Sequence, residues 1–131
     1  MYDYISGKIT HATATYIVVE ANGVGYQLQV SLQTYSKLKD AQSAKVYAHL
    51  SIKEDAHLLF GFADEDERQL FRNLISVSGV GPGTARVMLS SLSTTELQSA
   101  ITTGNVAVIK KIKGIGDKTA QRIVIDLKDK L

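Results

Sequence analysis

Two short stretches carry the residues best suited to chemistry, and the chemistry belongs to the backbone. "SGVGPGTA" at residues 78–85 and "KGIGDKTA" at residues 113–120, preceded by Val77 and Ile112, share the pattern apolar–x–Gly–apolar–Gly–x–x–Thr–Ala. At an offset of 35 residues, Val77, Gly79, Val80, Gly81, Thr84 and Ala85 align with Ile112, Gly114, Ile115, Gly116, Thr119 and Ala120. Glycines at these spacings allow a tight turn and leave no side chain over the main chain. The intervening Val80 or Ile115 can anchor the turn in a core. The next helix starts at once, with Pro82 suited to its first position. Unpaired amides at a helix start, together with those of the turn, form a site for an anion. Gly79, Gly81, Gly114 and Gly116 are therefore the candidate backbone contacts to phosphate. Lys118 and Arg122, four residues apart on the following helix, share a face and are the candidate side-chain contacts. The first copy has Gly83 and Val87 at those positions, so it must rely on its backbone. Lys110, Lys111, Lys113 and Arg86 add to the local field.

Competing uses of glycine-rich turns fit less well. A P-loop needs Gly-x-x-x-x-Gly-Lys-Ser/Thr after a strand, and "GIGDKT" is too short and follows a helix. A dinucleotide site needs Gly-x-Gly-x-x-Gly inside a parallel sheet, which neither copy provides. A single copy could be a purely structural turn. Two aligned copies in a basic stretch fit the two strands of a DNA duplex, gripped across a minor groove without base readout. A third "GVG", Gly23 to Gly25, is followed by an alternating stretch and reads as a hairpin closed by Gly23 and Gly25.

Catalytic constellations do not emerge. The chain contains no cysteine, which excludes disulfides, thiol catalysis and Cys-ligated zinc. His11, His49 and His57 lack metal-ligand spacing on a common helix face, and no metal or other cofactor is expected. Glu54 and Asp55, read as adjacent strand residues, would point to opposite faces and make a poor catalytic pair. The N-terminus "MYDYISGKITH" lacks a secretion signal and no apolar run approaches membrane-spanning length, so a soluble cytoplasmic protein is expected.

Around these residues the expected fold is α+β in two domains. In residues 1–62, "YISGKITH", "TYIVVEA", "GYQLQVS", "KVYAHLSIKE" and "HLLFGFA" alternate as five strands, with a short helix "LQTYSKLK" after the third. That order predicts a five-stranded barrel of the OB type. From residue 63 to 131 the period becomes helical, with about five short helices in a tandem helix–hairpin–helix arrangement. Asp64 with Glu67 and Ser93 with Glu96 are capping-box pairs, and Asn105 is a further cap. Leu70, Phe71, Leu74 and Ile75 form one apolar face. Charge divides the same way. Residues 1–62 carry five lysines and five acids, whereas Arg72 to Arg122 hold seven basic residues against Glu96 and Asp117. The net charge of +2 thus conceals a positive region around the hairpins, the footprint of a polyanion partner.

A barrel half containing "GVGY", joined to "GVGPGTA" and "GIGDKTAQRIVIDLKDKL" and preceded by "KEDAHLLFGF" at residues 53–62, resembles the RuvA family of bacterial Holliday-junction-binding proteins over the whole chain. The resemblance implies a homotetramer with the barrels central, sequence-independent binding of open four-way DNA junctions, and a non-enzymatic role in recombination and repair. It implies partnership with the RuvB ATPase motor and the RuvC resolvase. It assigns Glu54 and Asp55 to an acidic pin near the tetramer axis, where carboxylates repel phosphates and guide strands apart. The family continues beyond the position of Leu131 into a third helical domain that contacts the motor, a contact expected to lie outside these residues. It also often has basic residues where this chain has Gly83 and Asp117. The alternative reading is the DNA-binding fragment of a helix–hairpin–helix repair enzyme, an excision nuclease subunit or a ligase. A pure oligomerisation module, without nucleic-acid affinity, is the third.

Overall fold

Alternating branched and polar residues shape the first half of the chain. The computed structural model describes residues 1–131. Five strands, β1 (Tyr4–Ala12), β2 (Tyr16–Ala21), β3 (Val24–Gln29), β4 (Ser43–Lys53) and β5 (Ala56–Phe62), close into a barrel in the order β1-β2-β3-β5-β4. The pairings are antiparallel except β3 with β5, which meet in parallel at Gln29 and Phe60. Helix α1 (Leu32–Leu38) joins β3 to β4. Inward positions fill the interior with Ile5, Ile17, Val19, Leu28, Val30 and Val46, the two-residue period that the sequence displays. This is the expected OB-type barrel.

One turn departs from the expected chemistry. The β2–β3 hairpin is closed by Asn22 and Gly23, at φ 52° and 81°, between the paired Ala21 and Val24. Positive φ at both central residues is the type I′ requirement, which Asn tolerates and Gly meets freely. Gly25 is not part of the turn; it lies in β3 opposite Glu20.

Helix α2 (Glu65–Ile75) begins against the barrel. Asp64 caps it, its Oδ1 accepting from the Glu67 amide at 3.0 Å. Glu67 does not return to complete a capping box. Its carboxylate accepts from Ser31 Oγ at 2.7 Å and from Thr34 Oγ1, and its side chain is buried. Thr34 Oγ1 also accepts from the Ala63 amide at 3.0 Å. Burial raises the Glu67 carboxyl above its usual range, against the two hydroxyls that favour the anion. An acid whose folded-state pKa is raised destabilises the fold when ionised, and the cost vanishes below its unfolded value. The Glu67 contribution to stability should therefore fall as pH rises from below 4.5, the ordinary glutamate value, through the raised value. Glu67→Gln cannot ionise, and it can accept from only one of the two hydroxyls at a time, so its stability relative to wild type should rise with pH across that range. Urea melts would check this, and a difference independent of pH would contradict it.

The chain forms two compact units, Met1–Arg68 and Gln69–Leu131. The second contains the rest of α2, then α3 (Pro82–Ser91), α4 (Thr94–Thr102), α5 (Val106–Ile109) and α6 (Asp117–Leu127). Its starts are set by local chemistry. Ser93 and Glu96 make both halves of a capping box, and Asn105 Oδ1 accepts from the Val108 amide at 3.3 Å. Leu70, Phe71 and Leu74 are buried as the apolar face predicts, while Ile75 is only partly covered. No helix is long and apolar enough to cross a membrane.

Candidate nucleic-acid interface

The two glycine stretches adopt the same turn. The Val80 amide donates to Val77 O at 3.0 Å, and the Ile115 amide donates to Ile112 O at 3.1 Å. The third residue of each turn is Gly79 at φ 93° or Gly114 at φ 87°, as a type II turn requires. Val80 and Ile115, 5% and 6% exposed, pin the turns inward. Gly81 and Gly116 then cap α3 and α6 from extended backbone, φ −89° and −85°, with no side-chain acceptor at either cap. The helices close their first bonds from Ala85 N to Gly81 O at 2.9 Å and from Ala120 N to Gly116 O at 3.0 Å. Amides before those, on Gly83 and Thr84 and on Asp117, Lys118 and Thr119, have no intrahelical acceptor. Glycine is thus required by conformation at Gly79 and Gly114. At Gly81 and Gly116 a β-carbon would meet open space, so only the approach of a ligand can demand glycine there.

The repeat brings its two turns together. A β-carbon built on Gly79 would lie 3.8 Å from Thr119 Oγ1, at the start of α6. Ala85 and Ala120 are fully buried at the matching positions of α3 and α6. Lys118 and Arg122 are exposed and line a shallow groove with Gln121, Ile125 and Asp126. Arg122 Nε lies 3.9 Å from Asp126 Oδ2, so its charge is shared, whereas Lys118 takes part in none of the ion pairs. Asp117 does not stand alone at the helix start, because Lys110 Nζ lies 4.0 Å from its Oδ1. In the barrel unit, Glu54 and Asp55 form the two-residue turn between Lys53 and Ala56 of the β4–β5 hairpin, and both are exposed. They are turn residues, which corrects the expectation of opposite strand faces. His11, His49 and His57 fall on three different strands.

Comparison with known proteins covers both units. The RuvA N-terminal domain matches residues 1–61, and the SAM-like helix-hairpin-helix tandem matches residues 71–129. The Holliday junction branch migration complex subunit RuvA of Christiangramia forsetii is 51% identical over 131 residues, all of this chain and 68% of that protein. This chain belongs to the RuvA family. The RuvA proteins of Cytophaga hutchinsonii and Bacteroides fragilis are 52% and 50% identical over the same 131 residues, which make up 66% and 65% of their lengths. The chain therefore spans about two thirds of the length of these RuvA relatives.

Within the RuvA fold, the equal geometry of the two hairpins contrasts with their unequal side chains. Gly83 sits in the first turn of α3 with open space around it, where the second hairpin has Lys118. Lys118→Ala should reduce the slope of log affinity against log salt by about 0.9 for each engaged second hairpin, uniformly across DNA sequences. Gly83→Ala should leave the slope unchanged. Fluorescence anisotropy over a salt series measures both. Equal slopes for Lys118→Ala and wild type would remove Lys118 from the interface.

Proposed function

We propose that this chain binds four-way DNA junctions without sequence preference and without catalysing a reaction, as a tetrameric scaffold that holds the junction open for branch migration. The observation carrying this reading is the pair of glycine-capped helix starts in one conformation, set side by side in a basic unit. Two adjacent anion sites of equal geometry suit two phosphate backbones, and binding through amides reads no bases. The barrel would mediate association of the subunits. The RuvA relatives are named as subunits of a Holliday junction branch migration complex, which supports this reading, and the partners the family resemblance implies for such a complex are the RuvB motor and the RuvC resolvase. The repair-enzyme alternative draws on either hairpin alone and leaves the barrel unexplained.

A gel shift of a four-way junction against matched duplex tests the reading, with light scattering for the tetramer. Tight, selective junction binding is expected, and equal affinity for duplex would reject it. The turn position of Glu54 and Asp55 extends the test. Two exposed carboxylates at a hairpin tip repel phosphates and contribute no attraction. Glu54→Gln with Asp55→Asn should keep junction affinity and reduce discrimination against duplex in competition binding. Unchanged selectivity would remove the pin role from these residues.

A further inference from the structure

The repeat places a carboxylate at one hairpin mouth and none at the other. Asp117 is the first residue of α6, and its repeat equivalent at the start of α3 is Pro82. A carboxylate at a helix start interacts favourably with the same amides that would receive a phosphate, and it repels that phosphate. Two side chains hold Asp117. Lys110 Nζ, at the end of α5, lies 4.0 Å from Oδ1, and Gln121 Nε2, one turn further along α6, donates to Oδ2 at 3.4 Å. Lys111 and Lys113 come from the same short segment but line a separate groove with Ser91 and Val108, and neither takes part in an ion pair.

We propose that Lys110 is a positioning residue for DNA at the second hairpin: it neutralises Asp117 and draws its carboxylate away from the α6 amides, making the two hairpin mouths electrically alike. This rests on the DNA-binding function proposed above. Lys110 acts through Asp117 and not as a direct phosphate contact, which separates it from its lysine neighbours. Without Lys110, the carboxylate would compete with phosphate at the helix start. Without Asp117, Lys110 would be one more exposed lysine in the field.

A mutant cycle on the whole chain tests this, with four-way-junction affinity as one readout and the amide chemical shifts of Lys118 and Thr119 in DNA-free protein as the other. Lys110→Gln should weaken binding about fivefold, the upper range for an exposed ion pair, and Lys111→Gln about twofold or less. In an Asp117→Asn background, the cost of Lys110→Gln should fall to that of Lys111→Gln. Without DNA, Lys110→Gln should move the Lys118 and Thr119 amide signals in the wild-type background and leave them unmoved in an Asp117→Asn background. An equal loss from Lys110→Gln in both backgrounds, or amide signals unmoved in the wild-type background, would overturn the inference while leaving the junction-binding function standing. Failure of the wild-type chain to bind a junction would overturn both.

Discussion

Replacing Gly79 and Gly114 together by valine is expected to lower four-way-junction affinity by about a hundredfold, although no charge is removed. Both residues hold φ near 90°, the region in which a side chain is strained. The left-handed conformation costs an L-residue roughly 1–2 kcal/mol, and a β-branched residue more than most. The turn can relieve that strain only by leaving its present shape. Val80 and Ile115 are fixed in the core, so the displacement falls on the glycine amides and on the helix starts beyond them. Anion binding by amides depends on their convergence, and 2–3 kcal/mol of lost interaction over two hairpins corresponds to about a hundredfold. Gly81→Ala with Gly116→Ala is the contrasting pair. Their extended backbone accepts a β-carbon into open space, so stability should be kept and any loss of affinity reports contact with the ligand. A double valine variant that binds junctions as wild type does would mean that the turns are only structural.

Those turns were legible in the sequence because each part of the motif has one physical use. Glycine spacing gave the turn and Pro82 the helix start. The repeat doubled the signal. The barrel was legible for a similar reason, since period-two alternation across five segments admits few closed arrangements. Less could be read where a residue serves a distant partner. In "DEDERQLF", Glu67 fits a local capping box as well as Glu96 does, and nothing nearby marks it as the acceptor for Ser31 and Thr34. Arg68 looks like one charge in a solvated run, yet it is 4% exposed. The two-residue turn at Glu54 and Asp55 was hidden by the strand-like residues on both sides. Asn22-Gly23, by contrast, is a strong hairpin signal present in the sequence itself, and it outweighs the Gly23 and Gly25 pairing because both turn residues need positive φ. The Lys110–Asp117 pair spans seven positions across a turn, so only the folded hairpin brings its charges together.

Arg68→Ala is expected to cost the fold about 2–4 kcal/mol, from lost charge-assisted hydrogen bonds and lost packing. Its Nη1 donates to Asp3 O at 2.6 Å, to Asp3 Oδ1 at 3.0 Å and to Ala48 O at 3.2 Å. Its Nε donates to Glu65 Oε1 at 3.0 Å, and Nη2 pairs with the same carboxylate. The guanidinium carbon lies 5.1 Å from the centre of the Tyr47 ring. Asp3 O also accepts from the Ala48 amide at 3.0 Å, so Arg68 reinforces the point where the chain enters the barrel beside β4. The two carboxylates are themselves partly in water and can be resolvated, which keeps the loss below that of an uncompensated buried charge. Asp3 O keeps the Ala48 amide, but the oxygen of fully buried Ala48 and the tyrosine ring have no such substitute. Arg68→Lys should recover less than half of the loss, because an ammonium cannot reproduce the planar fork that reaches Asp3, Ala48 and Glu65 together. Urea unfolding of the three proteins measures both differences. A loss under about 1 kcal/mol for Arg68→Ala, the value of an ordinary surface pair, would show that the start of α2 is not fastened to the barrel through this side chain.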